Sequence, residues 1–341
     1  MQQAITDHDF PGGSLAVTHA GQFVASRGFG HFTDANSARV QADTIFDVAS
    51  LTKAVATTTM AMLLYERGFL DLDSSVSLVM PELASGEEAH RRITFRMLLS
   101  HSSGWPAHAR LFERTKGEDL VRAACALPVE AAPGSRAIYS DIGFIVLGKA
   151  LERLAGEEVD SFCRREVFGP LGMSHTTFKL PAEMRSSIPP TQDDRTFRKK
   201  IIQGEVDDEN AWAMGGVAGH AGLFSTAPDL ARFANCMLSG GEPILQPQTV
   251  ELFTRKQNLP PGSSWALGWD TPTTPSQSGR FFSPASYGHL GFTGTSLWID
   301  PQRQLSVVLL TNRTWPDRRS QAIKQFRPKL HDAIVEALHL A

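Results

Sequence analysis

The chain has 341 residues, of which 42% are hydrophobic and 20% charged, so it can bury a substantial core in one large domain or two closely packed ones. Its formal net charge of −3 offers no electrostatic basis for binding nucleic acid or an anionic membrane surface. No run of about 18 apolar residues predicts an integral membrane segment.

The N-terminal stretch MQQAITDHDFPGG lacks the basic and apolar segments of a secretory signal. We therefore expect this form to be cytoplasmic, or periplasmic or secreted after processing, and the sequence leaves the compartment open. The three cysteines are widely spaced and predict neither a disulfide framework nor a CxxC metal clip. His101 and His108 are seven residues apart, which is not a usual ligand spacing, so no metal is expected.

The first elements predicted are a β-hairpin and a long helix. SLAVTHAGQFVASRGFG (14–30) alternates apolar and polar residues and turns at Ala20-Gly21, which is typical of a hairpin. TIFDVAS (44–50) leads into an apolar helix that is predicted to begin near Ser50, reach about Arg67 and stop at Gly68.

Helical patterns and loops rich in Pro and Gly alternate from residue 72 to 261. The helical stretches are RMLLS, EDLVRAACAL, DIGFIVLGKALERLAG and APDLARFANCMLSGG. The polar stretch 181–210 is predicted to be a long surface loop or lid. After residue 262, WALGWD, GHLGFTGTSLWIDP and QLSVVLLTNR are predicted strands, and an amphipathic helix is predicted from about Ser320 to Leu340.

Strand patterns thus lie at both ends of the chain and helices lie between them. The simplest architecture is an α+β fold in which residues 1–75 and 262–341 form one lobe around a sheet. Residues 76–261 then form a second, mostly helical lobe. We expect the functional site in the cleft between the lobes.

Ser50 and Lys53 form the single Ser-x-x-Lys pattern of the chain, at the predicted helix start. Ser50 could be a helix cap and nothing more. However, residues three apart share one helix face, so the amine can reach the hydroxyl. A deprotonated amine could then accept the proton as the hydroxyl attacks a carbonyl, and the helix N-terminus would stabilise the resulting oxyanion.

Two further segments offer parts that such a hydrolase needs. Tyr139 and Asp141 precede an apolar helix, where a proton-handling pair and a simple capping arrangement are both consistent with the pattern. His289, Gly291 and Gly294 lie in a strand-like segment, where glycine marks either close approach of a ligand or a bulge.

Together, SLTK at 50–53, YSD at 139–141 and HLG at 289–291 resemble the signatures of the β-lactamase and penicillin-binding-protein superfamily. The closest fit is the branch of class C β-lactamases, DD-peptidases and related esterases. LLSHSSGW (98–105) and GGVAGHAGLFSTAPDLARF (215–233) resemble stretches common in that branch. The resemblance implies a β-lactamase/transpeptidase-like α+β fold, with an antiparallel sheet flanked by helices and a mostly helical lobe.

The resemblance also implies an acyl-serine hydrolase that forms a covalent acyl-enzyme without a metal or organic cofactor. Ser50 would be the nucleophile, Lys53 and Tyr139 a coupled proton relay, and the backbone N–H groups of Ser50 and Phe292 the oxyanion hole. Expected substrates are a small-molecule ester, amide or β-lactam, or a peptidoglycan-derived peptide.

Two residues depart from the family pattern. Asp141 stands where Asn is usual, and an ionised Asp near Lys53 would favour the charged ammonium, which is a poorer base. His289, two residues before Gly291, replaces the usual Lys, so the cation that suits a substrate carboxylate is replaced by a mostly neutral ring. We therefore expect weak β-lactam turnover at best.

Three other classes compete with this interpretation. One alternative is a catalytically impaired penicillin-binding or peptidoglycan-binding module of the same fold. The replacement of the usual Asn by Asp141 is compatible with it. An α/β-hydrolase would need a Gly-x-Ser-x-Gly elbow, which the sequence lacks. A metallohydrolase built around His220 and His289 has little support from their spacing.

Overall fold

The computed structural model describes residues 1–84 and 86–341. In the first half of the chain the elements are α1 (Gln2–Thr6), β1 (Gly12–His19), β2 (Gln22–Gly30), β3 (Phe46–Asp47), a π-helical segment (Lys53–Thr58) continued by α2 (Thr59–Glu66), a 3₁₀ turn (Val76–Leu78), α3 (Pro81–Ala84), α4 (Glu88–Arg91), α5 (Phe95–Leu99), a 3₁₀ turn (Leu111–Glu113), α6 (Gly117–Cys125), α7 (Asp141–Ala155) and α8 (Val159–Cys163). In the second half they are a π-helical segment (Arg164–Phe168), a 3₁₀ helix (Ala182–Ser187), β4 (Gln192–Asp194), β5 (Lys200–Ile202), α9 (Glu209–Ala213), β6 (Phe224–Ser225), α10 (Ala227–Leu238), α11 (Pro247–Thr254), β7 (Tyr287–Leu290), β8 (Ser296–Asp300), β9 (Leu305–Thr311) and α12 (Ile323–Ala337).

The main sheet joins two distant parts of the chain. Its five strands are antiparallel and lie in the order β2-β1-β9-β8-β7. The N-terminal hairpin turns at Ala20-Gly21 as predicted, and its inner strand pairs with β9, where Leu15 lies opposite Leu309. The lobe boundaries near residues 75 and 262 stay a prediction.

Successive residues of the central strands face two different cores, as the pleat requires. Ala16 and Val308 pack into the large core that the helical block shares with one face of the sheet. Leu15 and Leu309 face the opposite side, where they join a smaller core with Leu330 of α12. The sheet therefore lies between the helical block and the terminal helices.

Helix α7 begins directly after Tyr139 and Ser140 and so positions a predicted site residue. The Ser140 hydroxyl caps it by accepting the Gly143 N–H at 3.0 Å. Its apolar face is buried, and the helix stops at Gly156, which has a left-handed φ of +68°. The cap fixes the direction of the residue that precedes it, Tyr139.

Three sequence predictions on local structure are wrong in detail. Residues 181–210 are not an irregular loop, because they contain a 3₁₀ helix and the β4–β5 hairpin with buried residues such as Ile202. WALGWD forms no regular strand and contributes a single bridge from Asp270 to Gly288. The predicted strand through 288–301 is interrupted between β7 and β8 by a turn in which the Gly291 N–H donates to the Thr295 carbonyl at 2.7 Å.

The helix predicted to begin near Ser50 begins at Leu51 and ends at Glu66, close to its predicted bounds, but its turns from Lys53 to Thr58 are π-helical. The last helix spans Ile323–Ala337, a few residues inside its predicted range. Within the described residues, no helix combines the length and apolarity needed to cross a membrane.

Candidate active site

Ser50 lies at a sharp turn between β3 and the helix that follows. The residue before it, Ala49, has a left-handed φ of +48°, and its N–H donates to the Asp47 carboxylate at 2.8 Å. The hydroxyls of Thr293 and Thr295 donate to backbone carbonyls of residues 47 and 48 at 2.9 and 3.0 Å. The turn between β7 and β8 is thereby tied to the segment that carries Ser50.

Lys53 is fully buried, and its ammonium has three acceptors. Nζ donates to Ser50 Oγ at 3.0 Å, to Asp141 Oδ1 at 2.6 Å and to the His220 carbonyl at 2.9 Å. Burial alone would lower the pKa of Lys53, but the Asp141 carboxylate and the Tyr139 phenol outweigh burial and raise it. The side chain is therefore a fully hydrogen-bonded ammonium at neutral pH.

Tyr139 lies beside both of these residues. The Lys53 ammonium is 5.0 Å from the centre of the tyrosine ring, and the phenol interacts with the Lys53 amine and the Ser50 hydroxyl. Burial raises the pKa of Tyr139, and the neighbouring ammonium partly offsets that rise. Trp265 stacks on the phenol ring, with centroids 5.5 Å apart and planes 21° apart.

Asp141 connects Lys53 to a group of residues that the sequence patterns did not single out as a unit. Burial would raise the pKa of Asp141, but the Lys53 charge and the neighbouring His108 outweigh burial and lower it. His108 Nδ1 lies 3.7 Å from Asp141 Oδ2. Asp208 accepts from His220 Nε2 at 2.8 Å, and that histidine's carbonyl binds Lys53. Only the fold could reveal this arrangement, because its members come from four separate segments.

Ligand atoms of His108, Asp141 and Asp208 all lie within 4.8 Å of one another, which is close enough to hold a metal ion. Two of these residues already have charged or hydrogen-bonding partners, since Lys53 binds Asp141 and His220 binds Asp208. A cation at this position would have to compete with both.

His289 lines the cleft as a neutral ring. Its Nδ1 lies 2.9 Å from the Leu290 carbonyl, which can only accept, so Nδ1 carries the proton and Nε2 carries the lone pair. Burial, assisted by the charge of Lys53, lowers the pKa of His289 to about 3. The structure thus places no histidine cation where the family pattern has lysine.

Gly291 and Phe292 follow His289 on the same wall of the cleft. A Cβ on Gly291 would overlap the Thr295 hydroxyl and lie 2.6 Å from the Val48 carbonyl, so the close approach of the two segments requires glycine here. Among the described residues, neither the Ser50 N–H nor the Phe292 N–H has a hydrogen-bond acceptor.

These groups line a cleft of about 670 Å³. The predicted residues that line it are Ser50, Tyr139, Asp141, His289, Gly291 and Phe292. Lys53 lies directly beneath the Ser50 hydroxyl, in the wall. Residues for which the sequence predicted no role at the site also line it, namely His108, Asp208, Trp265, Arg313, Arg318 and Arg327.

Comparison with known proteins identifies relatives along most of the chain. A profile of the Beta-lactamase family matches residues 1–327. A protein from Escherichia coli (strain K12), named "Putative D-alanyl-D-alanine carboxypeptidase", is 33% identical over 302 residues, which are 79% of this chain and 69% of that protein. A protein of the same name from Salmonella paratyphi A (strain ATCC 9150 / SARB42) is 31% identical over 349 residues, 90% of this chain and 80% of that one.

Solved structures resemble the chain over nearly its whole length. EstCE1, described as a hydrolase with promiscuous acyltransferase activity, has a TM-score of 0.76 at 22% identity, with 96% of this chain and 95% of that one covered. Unliganded simvastatin synthase from Aspergillus terreus has a TM-score of 0.75 at 22% identity, with coverage of 98% and 95%. At this identity the likeness shows the fold, and it confirms the predicted fold class.

Proposed function

Because the chain belongs to the Beta-lactamase family of serine hydrolases, we propose that it cleaves an ester or amide through a covalent acyl-enzyme on Ser50. One observation carries the assignment of the nucleophile. The Ser50 hydroxyl, the Lys53 ammonium and the Tyr139 phenol converge at one cleft, beside two backbone N–H groups that lack acceptors.

Lys53 acts as a cation rather than as the base. All three of its N–H bonds are directed at acceptors, and the Asp141 carboxylate favours the charged form. Because the ammonium donates to Ser50 Oγ, the hydroxyl hydrogen of Ser50 points elsewhere. The adjacent Tyr139 oxygen is the acceptor within reach.

Tyr139 handles the proton in each step. Once the phenol has lost its proton to solvent, the phenolate accepts the Ser50 proton as Oγ bonds to the acyl carbon, and the phenol so formed protonates the leaving alcohol or amine as its bond to that carbon breaks. Water enters the cleft and reverses the proton transfers to release the acid. The Lys53 charge stabilises the phenolate in the steps in which that form is present.

The N–H groups of Ser50 and Phe292 form the oxyanion hole in this proposal. Both come from turns, both lack protein acceptors among the described residues, and both residues line the cleft. Such preorganised donors stabilise the negative oxygen of the tetrahedral intermediate, with typical effects of about 10²–10³ in rate per donor.

The neutral ring of His289 supports substrates that do not rely on a carboxylate at that position. Neutral esters and amides are therefore the preferred class, and carboxylate-bearing β-lactams are poor substrates. Removal of a terminal D-alanine is the second candidate, favoured by the curated relatives at 33% and 31% identity.

Intact-protein mass spectrometry tests the nucleophile. After brief exposure to a fluorophosphonate and to p-nitrophenyl butyrate, the wild-type protein should carry one adduct, which Ser50→Ala should lack. Ser174→Ala, which alters an exposed serine that does not line the cleft, is the matched control and should label normally. An adduct retained by Ser50→Ala would refute the assignment.

Substrate screening separates the remaining alternatives. p-Nitrophenyl esters, a peptide ending in D-Ala-D-Ala and nitrocefin are compared by kcat/KM. We expect the neutral ester to exceed nitrocefin by at least about tenfold. An impaired binding module would form the adduct with release of at most one equivalent of leaving group, and would show no turnover of any of the three.

A further inference from the structure

Arg327, in α12, is a buried guanidinium without a counter-charge. The residue is 4% exposed, and no carboxylate of the described residues lies within ion-pair distance of it. Burial, with the nearby charge of Arg313, lowers the pKa of Arg327 to about 9, which still leaves it charged at neutral pH. Burying an unpaired charge costs free energy, so Arg327 is expected to lower the stability of the fold.

The guanidinium is aimed at the turn between β7 and β8. Nη2 donates to the Gly291 carbonyl at 3.0 Å and to the Thr295 carbonyl at 2.8 Å. Neither carbonyl depends on it, because Gly291 O also accepts the Gly294 N–H at 3.1 Å and Thr295 O accepts the Gly291 N–H at 2.7 Å. The need of these two carbonyls for a hydrogen-bond donor therefore does not explain why an arginine is buried here.

The Gly291 carbonyl and the Phe292 N–H belong to the same peptide unit. That peptide is trans, so the two groups point in opposite directions. Arg327 holds the carbonyl side, and the N–H side has no acceptor among the described residues. A charged donor on the carbonyl both orients the peptide plane and polarises its N–H, which becomes a stronger donor.

The next peptide is held in the same way. Arg313 Nε donates to the Phe292 carbonyl at 2.8 Å, and its guanidinium lies 4.6 Å from the centre of the Phe292 ring. Phe292 is thus fixed on both sides by arginines, although its own side chain is 48% exposed. An exposed turn of this kind would otherwise be free to reorient its N–H.

We propose that Arg327 is a positioning residue for acyl transfer, which orients and polarises the Gly291–Phe292 peptide so that its N–H stabilises the oxyanion. The inference rests on the proposed function and adds a residue to it. Arg327 acts through the peptide and needs no contact with the substrate.

The test uses Arg327→Met, Arg327→Gln and Arg327→Lys in the full chain, with single-turnover acylation by p-nitrophenyl butyrate. We expect Met to lower the acylation rate constant by about 10- to 100-fold with KM changed less than about threefold. Lys, which keeps the charge, should retain more activity than Gln. Affinity for a boronic acid, whose serine adduct carries a tetrahedral anion, should fall in parallel with the rate.

Thermal unfolding separates this role from a structural one. Because Met removes an unpaired buried charge and both carbonyls keep backbone partners, Tm should stay equal or rise while acylation slows. Lys329→Met, which removes an exposed cation from the same helix without touching the cleft, is the matched control and should acylate normally.

Three outcomes would overturn the inference. The first is an acylation rate constant for the neutral ester that equals the wild-type value in all three variants. The second is a loss of rate confined to carboxylate-bearing substrates, which would make Arg327 an anion-binding residue. The third is a fall in Tm that matches the fall in rate across the variants that fold.

If Arg327→Met does not fold, the comparison of Arg327→Lys with Arg327→Gln decides. Failure of wild-type Ser50 to form any adduct would refute the proposed function and this inference with it, whereas equal adduct formation in all variants would refute only the inference.

Discussion

Replacing Asp141 by Asn tests whether this carboxylate keeps Lys53 charged. The ammonium nitrogen and the carboxylate oxygen are 2.6 Å apart, and Lys53 is fully buried. At an effective dielectric constant of about 20, two unit charges at that distance interact by about 6 kcal/mol. The asparagine carbonyl would still accept a hydrogen bond from the ammonium, which is worth about 2–3 kcal/mol.

The remaining loss of about 3–4 kcal/mol makes the Lys53 amine roughly 100- to 1,000-fold easier to deprotonate. A neutral amine can accept the Ser50 proton directly, as the family pattern with asparagine implies. The variant should therefore reach its maximal acylation rate at a pH about two units lower than the wild-type protein does.

Single-turnover acylation by a neutral p-nitrophenyl ester, followed from pH 5.5 to 10, measures this effect. The wild-type rate should keep rising into the alkaline range, because burial raises the pKa of Tyr139 and Lys53 stays charged. Asp119→Asn, which removes an exposed carboxylate of α6, should leave the profile unchanged. Superimposable profiles for Asp141→Asn and wild type would refute the reasoning.

The remaining predictions concern three other side chains. Tyr139→Phe removes one hydroxyl from a stacked ring, so acylation should fall at least about 100-fold in stopped flow with Tm almost unchanged, and a wild-type rate would exclude Tyr139 as the base. His289→Lys supplies a cation at the cleft, so the ratio of benzylpenicillin to neutral-ester acylation should rise at least about tenfold, and an unchanged ratio would contradict this. Burial and the adjacent Asp207 raise the pKa of Asp47 to about 7 in the folded protein, whereas in the unfolded chain it is about 4. The fold therefore keeps its full stability below pH 4, where Asp47 is protonated in both states, and loses stability as the pH rises from about 4 to about 7. Urea unfolding should show that wild type loses up to about 4 kcal/mol relative to Asp47→Asn between pH 4 and 8, and a constant difference would count against it.

The sequence predicted the parts of the site that depend on short-range spacing. Ser50 and Lys53 are neighbours on one helical face, so their contact follows from a three-residue interval even though the helix becomes π-helical at Lys53. Tyr139 could be placed because it precedes a capped helix within a recognisable pattern. Its approach to Ser50 then depended on the family resemblance rather than on spacing.

The remainder of the site depends on contacts between distant segments, which no local pattern encodes. Asp208 reaches Lys53 only through His220, and Arg327 lies 36 residues from the turn carbonyl it binds. The sequence pattern predicts a strand through the turn after β7, and Gly291 and Gly294 are consistent with a bulge in such a strand. The deciding fact, close packing against the Ser50 segment, is visible only in the fold.

The order of the strands has a consequence for synthesis of the chain on the ribosome. β1 lies between β2 and β9. Nearly 300 further residues must therefore be synthesised after β1 before β9 can pair with its inner edge. During that interval an apolar strand presents open N–H and C=O groups, which is the arrangement that favours pairing with other chains. The nascent protein should therefore depend on chaperones or slow expression, and the cleft stays incomplete until the last strand is in place.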